Sequence, residues 1–194
     1  MRAMIPDPTS RLLIGALWLA WILYWWLSAR NVKRTRWREP LKARLRHRVP
    51  LMLVALLMGA PGWLPPPLTR RFLPAGPAFP MIGAVLVAAG LGFSIWARRH
   101  LGRNWSVSVV VKEDHTLVRS GPYARVRHPI YTGMLLALVG TVVAIGEWRG
   151  LAALALALLA FAWKSRAEEE RMREAFPEYE QYRRETASLI PFVY

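Results

Sequence analysis

Arg127 and His128 stand side by side just before Pro129, and farther along the chain Glu168 and Glu169 follow Lys164 and Arg166. Imidazole changes charge near neutral pH and can take a proton from an amine. Carboxylates accept hydrogen bonds from hydroxyl and amino groups. Lys164 or Arg166 can neutralise and aim an acidic substrate, but differently: a guanidinium offers a fork to a carboxylate, an ammonium only a point charge. Each piece also has a plainer structural role. An Arg-His pair beside an apolar run reaches lipid headgroups by snorkelling, and Lys164 with Glu168 is an i,i+4 pair on a solvated helix face. His115, in a loop, has no special claim taken alone.

Other chemistries are absent from the sequence. There is no Cys, which removes disulfides, thiolate zinc sites, iron–sulfur clusters and Cys nucleophiles. No phosphate-binding Gly-rich loop, His-Glu-x-x-His pair or nucleophile elbow occurs, and no His/Asp/Glu spacing supports a metal. Gly90-Leu91-Gly92 mimics the start of a dinucleotide loop, but Ile95 replaces the third Gly and the stretch lies within an apolar run.

The elements that position these side chains are apolar helices. The 194 residues are 54% hydrophobic yet carry a formal charge of +15, so charge and apolar residues must occupy separate blocks. Five apolar blocks are present, at 12–28, 49–64, 81–97, 130–145 and 151–163. A transmembrane helix needs about 17–25 mostly apolar residues; the first and third blocks meet this, and the others span only if their helices extend further. The first block lacks a small-x-small cleavage site and reads as a retained span. The expectation is an all-α integral membrane protein of about five transmembrane helices. It forms one domain over 1–194: three spans with a basic loop and a Pro-rich connector in 1–97, and the chemistry in 98–194.

Charge sorts by side. Residues 30–48, 98–127 and 164–194 hold 22 of the 27 Lys and Arg. The positive-inside rule puts those segments in the cytoplasm and the N-terminus outside. The positive charge is then an orientation signal and a contact with anionic lipid, not a nucleic-acid footprint. Trp25, Trp26, Trp63, Trp96, Trp148 and Trp163 fall near block ends, where amphipathic rings favour the interface. The run from Pro65 to Pro80 reads as a stiff extended connector.

Two cytoplasmic segments remain for chemistry, about 97–129 and 164–194. In the first, Gly121-Pro122 marks a turn, and Pro129 suits the first turn of a helix, where its missing N–H costs nothing. In the second, 164–175 contains no Gly, Pro or β-branched residue and continues the fifth block as helix. Tyr179 and Tyr182 share a face if their turn is helical.

Taken together these segments carry a resemblance. The string Leu101-Gly102-Arg103-Asn104-Trp105-Ser106, then His115-x-Leu117-Val118-x-x-Gly121-Pro122-Tyr123, then Arg127-His128-Pro129-x-Tyr131, resembles the isoprenylcysteine carboxyl methyltransferase family. So does the ending, Glu168-Glu169, Met172, Phe176, Tyr179, Tyr182 and Leu189-Ile190-Pro191. The likeness covers about 97–194; the earlier residues match only in hydropathy. Related membrane methyltransferases acting on phospholipid amines are similar around Arg-His-Pro and Glu-Glu. The resemblance implies a membrane enzyme using S-adenosylmethionine, in a cytoplasmic pocket formed by the loop before the fourth span and the helix after the fifth. It points to His115, Leu117, Val118, Gly121, Tyr123, Arg127, His128, Pro129, Tyr131, Glu168 and Glu169 as cofactor-binding residues. Lys164, Arg166 and His128 are the candidates for catalysis, and the implied acceptor is a lipid or prenylated molecule, most simply an isoprenylcysteine carboxylate.

The sequence departs from the family in two places. An Arg usual four residues before the first Glu is Lys164 here, so substrate orientation falls to Arg166 or the acceptor is not a carboxylate. Phe176-Pro177 replaces the usual Phe-Gly and shortens the step to Tyr179. Three other readings stand beside this one: a phospholipid amine N-methyltransferase, an NADPH-dependent sterol or enone reductase, and a non-enzymatic membrane scaffold.

Overall fold

A computed structural model describes residues 8–30, 41–59, 64–102, 105 and 117–191. The described chain is helical: α1 (Pro8–Ser28), α2 (Leu41–Gly59), the short α3 (Pro66–Thr69), α4 (Ala78–Leu101), α5 (Pro129–Ile145), α6 (Trp148–Ala175) and α7 (Tyr179–Glu185). Three helices are long and apolar enough to cross a membrane: Thr9–Ser28, Ala78–Leu101 and Trp148–Ala175, with mean hydropathy 1.4, 2.0 and 1.3. Arg48–Gly59 and Pro129–Ile145 are shorter apolar helices. Each of the five expected apolar blocks thus has a helix. α2 also starts well before Pro50, inside the basic stretch, and α6 runs on through the Glu pair.

The helix ends follow local chemistry. α4 ends at Gly102, at φ 57°, whose N–H bonds the carbonyl of Arg98. α5 opens on Pro129 and closes at left-handed Gly146, which donates to the carbonyl of Val142 at 2.8 Å. Pro at the first position and Gly just past the last are the least costly residues there.

α4 and α5 pack with their backbones nearly touching. A Cβ on Gly83 would lie 2.5 Å from the Gly140 carbonyl oxygen, and one on Gly90 would lie 2.5 Å from that of Gly133. The converse approaches, from Gly140 to Gly83 and from Gly133 to Gly90, are both 2.6 Å. The glycines recur seven apart on each helix, about two turns, so they line one stripe. Lipid supplies no hydrophobic drive between helices, and such close approach is how membrane helices gain packing energy. α1 is tied to this pair by two indole N–H bonds, Trp18 to Thr141 Oγ1 at 3.1 Å and Trp21 to Ser94 Oγ at 2.7 Å. α2 lies on α6, where Val54 meets buried Ala153, Ala157 and Phe161.

The end of the bundle away from the Glu pair is closed by arginines. Arg149 is buried, ion-paired to Glu147 at 2.6 Å, and donates to the carbonyls of Leu57 and Met58 at the end of α2. Arg71 donates to the carbonyl of Ile145 at 2.9 Å, and Phe72 N–H to that of Gly146 at 2.8 Å. The Pro-rich connector is therefore docked on the α5–α6 turn and includes α3, rather than running extended throughout. Of the tryptophans expected at an interface, Trp26, Trp96, Trp148 and Trp163 are exposed. Trp25 instead stacks on Trp21 and meets Trp105 edge-on, and Trp63 lies outside the described residues.

The glycine seam sets a clear expectation. Gly133→Val drives a side chain into the backbone of α4 and should cost about 1–3 kcal/mol or more. Gly92→Ala, where nothing lies within 4 Å, should be neutral or stabilising by about 0.5–1 kcal/mol from helix propensity. Thermal unfolding of the two variants in detergent checks the contrast; equal midpoints would show that the seam is not tightly packed.

Candidate functional site

The start of α5 and the polar half of α6 bring the two charged pairs together. His128 is the residue before α5, and Glu168 and Glu169 sit in the continuation of α6 beyond its apolar stretch. Glu169 Oε1 accepts three bonds: from Arg127 Nε at 2.8 Å, His128 Nε2 at 3.2 Å and Ser188 Oγ at 3.2 Å. The Arg127 and Glu169 side chains are only 8% and 10% exposed. His128 Nδ1 lies 3.4 Å from Glu168 Oε2. Glu168 Oε1 in turn accepts the Tyr131 hydroxyl at 2.6 Å and lies 3.9 Å from Lys164 Nζ.

The tail completes the arrangement. Arg127 and His128 donate their backbone N–H groups to Ala187 and Ser188 at 2.9 and 3.1 Å, and Ala187 N–H returns to Arg125 at 3.1 Å. Arg127 Nη1 donates to the carbonyls at the C-terminal end of α7: Arg183 at 2.9 Å, and Thr186. Helix C-termini carry unsatisfied carbonyls and partial negative charge, so they suit a guanidinium. Thr132 Oγ1 donates to the carbonyl of Leu189 at 2.5 Å, and the Tyr182 hydroxyl to that of Tyr123 at 2.7 Å.

Protonation follows from these partners. Burial by itself would lower the imidazole pKa of His128. Its two carboxylate partners outweigh that and hold the pKa above the ordinary 6.5. A carboxylate can only accept, so both ring nitrogens facing one means both carry protons. Burial pushes the hydroxyls of Tyr123, Tyr179 and Tyr182 up, Tyr182 to about 12. These phenols are donors, not bases.

The remaining residues expected at the site distribute around this core. Tyr131 stacks in parallel on His128 and on Phe161, at centroid distances of 5.6 and 4.9 Å. Tyr123 is buried and stacks on His100. Both rings are thus already stacked within the protein. Gly121, at φ 59°, is pressed against the same His100 ring, where a Cβ would come to 2.7 Å. Val118 packs with Ala97, Trp105 and Ile130; Leu117 is half-buried in the segment leading to it, and Pro129 is fully buried. His115 lies outside the described residues. Arg166 is exposed and lines a cleft of about 480 Å³ together with Arg127, Glu169 and Ser188.

Sequence reasoning did not single out Ser188, Thr186, Thr132 or His100 as site residues. The only signal was adjacency: Ser188 precedes the Leu-Ile-Pro ending, and His100 the Leu-Gly-Arg-Asn-Trp-Ser string. Their roles come from backbone pairing and close approach, which spacing does not encode.

Apolar helices with a buried Arg-His/Glu-Glu cluster at one end define an integral membrane protein. Residues 79–179 match the phospholipid methyltransferase family. The chain belongs to that family. It is 36% identical over 93 residues to the cobalt-zinc-cadmium resistance protein CzcN of Cupriavidus metallidurans, covering 47% of this chain and 43% of that one. It is 35% identical over 96 residues to the protein-S-isoprenylcysteine O-methyltransferase of Schizosaccharomyces pombe, covering 47% and 41%. It thus spans less than half the length of these two relatives. The fold is similar to that of the eukaryotic intramembrane Ras methyltransferase ICMT, with a TM-score of 0.53 at 22% identity over 78% of this chain and 51% of that one.

The raised pKa of His128 links this cluster to stability. A group whose folded pKa exceeds its unfolded value stabilises fully below the unfolded value, and the contribution fades as pH rises through the folded one. The thermal midpoint in detergent should therefore fall as pH is raised from 6.5 upward, and His128→Gln should flatten that slope. An unchanged slope in the variant would remove His128 as its source.

Proposed function

We propose that the protein is an S-adenosylmethionine-dependent methyltransferase that methylates the acidic oxygen of a lipid-like acceptor, of which an isoprenylcysteine carboxylate is the model. In this reading α1, α2, α4, α5 and α6 all span the membrane, with the N-terminus outside and the site on the cytoplasmic face. The observation that carries the reading is the convergence of Arg127-His128 with Glu168-Glu169 inside the region matched by the methyltransferase family.

The donor set suits the cofactor. Glu169 spends only Oε1 on protein partners, and Oε2 has none among the described residues. An acceptor of this kind suits a hydroxyl or amino group. Glu168 and Glu169, with Arg127 and His128 behind them, would hold S-adenosylmethionine. When bound, it supplies a sulfonium-activated methyl group. This chain's own residues then have three tasks: to hold the acceptor in line, at about 3–3.5 Å from its target; to keep water away; and to balance the acceptor's charge. His128 keeps the carboxylates fixed while its two N–H groups are engaged, and Arg166, beside the cluster, makes no ion pair among the described residues.

A second reading, methylation of a phospholipid amine, is favoured by the family's own description. An ammonium must lose a proton before it can attack. His128, the convenient base, is protonated at both nitrogens in this arrangement, and the nearby phenols hold their protons. A carboxylate is ionised at neutral pH and needs no base, so the geometry favours oxygen as the target.

Two measurements test this. Purified protein in detergent should bind S-adenosylhomocysteine, and Glu169→Ala or His128→Ala should weaken binding by about tenfold or more. Saturable NADPH binding in its place would move the protein to the reductases, and no binding of either would leave a scaffold. Tritium transfer to farnesylated cysteine, fatty acid and phosphatidylethanolamine then identifies the acceptor: base-labile label indicates an ester, base-stable label on the lipid amine the second reading.

A further inference from the structure

The three helices long and apolar enough to cross a membrane share one pattern on their outward faces. In α6, Trp148, Ala152, Ala155, Leu159, Trp163 and Arg166 are all exposed and recur three or four residues apart, so they form one stripe. Its apolar part, from Trp148 to Trp163, is about 22 Å long at the helical rise per residue. In α1 the outward face runs from exposed Arg11 to exposed Trp26, again about 22 Å, and Arg30 lies 3.9 Å over the Trp26 ring. In α4 it runs from exposed Ala78 to exposed Trp96, about 27 Å, and exposed Arg99 follows three residues on. Each inner end is thus an exposed Trp, the residue that favours the lipid–water interface, with an Arg just beyond it. Arg98 donates to the carbonyl of Ser28 at 2.9 Å and so holds the inner ends of α1 and α4 level.

The hydrocarbon core of an ordinary bilayer is about 30 Å thick, and tilt shortens the reach of a helix further. A short span is accommodated by snorkelling of its flanking charges or by thinning of the bilayer. The outer end of α6 is closed to snorkelling. The Arg149 side chain is only 5% exposed and is held by Glu147 and by the carbonyls of Leu57 and Met58. The connector is pinned there as well, by Phe72 N–H on the carbonyl of Gly146, and irregular backbone of this kind does not face lipid within the hydrocarbon. An unthinned bilayer would cover about 4 Å more at each end of the α6 stripe, reaching Arg166 on one side and the docked connector on the other.

We propose that the outward face of α6 is built for a thin bilayer, so that the protein takes short-chain phospholipids as its surrounding shell and thins a bilayer of ordinary thickness around it. This rests on α6 crossing the membrane and not on the methyl transfer proposed above. Both tryptophans of the stripe then lie at an interface, and the cleft lined by Arg166 and Glu170 stays open to water and headgroups.

The test uses full-length protein reconstituted with dibrominated dioleoyl phosphatidylcholine, which quenches the ten tryptophans. Unlabelled dimyristoleoyl (C14), dioleoyl (C18) and dierucoyl (C22) phosphatidylcholine then compete for the protein surface. The C14 lipid should relieve quenching about threefold or more effectively than the C22 lipid. Arg166→Leu carries the apolar stripe about one turn further and should move the preference toward the C18 lipid, whereas exposed Arg184→Gln should leave it at C14. A second measurement leaves the charged cluster untouched: a nitroxide on Leu159→Cys, the single thiol in a chain without native Cys. In dioleoyl bilayers it should lie about 6 Å inside the hydrocarbon boundary, four residues from Trp163; an unthinned bilayer centred on the stripe would put it at about 10 Å. Equal competition by the three lipids, preference for the longest, an unmoved preference in Arg166→Leu, or the deeper nitroxide would each overturn the proposal. S-adenosylhomocysteine takes no part in these measurements, so its failure to bind would strike the proposed function and leave the lipid result readable.

Discussion

One carboxylate oxygen, Oε1 of Glu169, organises the site. Burying a carboxylate is costly unless it is paired and hydrogen-bonded, and this one receives a guanidinium and an imidazolium from the segment before α5 and a hydroxyl from the tail. Removing one partner of such a buried pair typically costs about 3–5 kcal/mol. The cluster therefore holds the segment before α5, the polar half of α6 and the tail after α7 in one arrangement. The same bonds settle protonation, since an imidazole between two carboxylates must donate from both nitrogens.

That cluster depends on where α5 and α6 begin and end. α5 is short and apolar, and its position along α4 is set by the reciprocal glycines Gly83–Gly140 and Gly90–Gly133. A Cβ at any of them would collide with backbone, so the two helices cannot slide without loss of packing. The tight turn at left-handed Gly146 returns the chain into α6, whose buried Ala153, Ala157 and Phe161 pack against α2. Continuous helix from Trp148 to Ala175 then carries the two glutamates rigidly out to meet His128. At this end Arg98 performs a parallel service: it donates to the carbonyls of Ser28 and Gly102 and lies over Trp105, joining α1 to the end of α4.

Several elements were legible in the sequence for plain physical reasons. Five charge-free stretches in a short chain have few ways to leave water other than as helices, and Pro129 and Gly146 mark α5 in the places their backbone preferences allow. The helix through 164–175 could be read from its lack of breakers. Two features are only partly legible along the chain. The prolines suggest an extended connector, but Arg71 and Phe72 dock it on the α5–α6 turn, because the C-terminal end of α5 leaves carbonyls that need donors. Gly90 mimics a dinucleotide loop along the chain, whereas in the fold it is one of the four glycine contact points of α4 with α5.

Sequence alone determined the residue types and the local structure: helix-forming apolar blocks, a basic surplus sorted between connectors, and an Arg-His pair and a Glu pair each beside the end of an apolar run. These are properties of neighbours along the chain, and hydropathy and backbone preference act at that range. Tertiary structure alone decided which side chain meets which. Glu168 and Glu169 are adjacent in sequence, yet one turns to Tyr131 and Lys164 and the other to Arg127 and Ser188, because successive residues on a helix point about 100° apart. The same rotation separates Lys164 from Arg166 and leaves only Arg166 open to the cleft. The tail enters the site largely through backbone carbonyls that accept hydrogen bonds, a capacity every residue has, and so its part there depended on the folded chain.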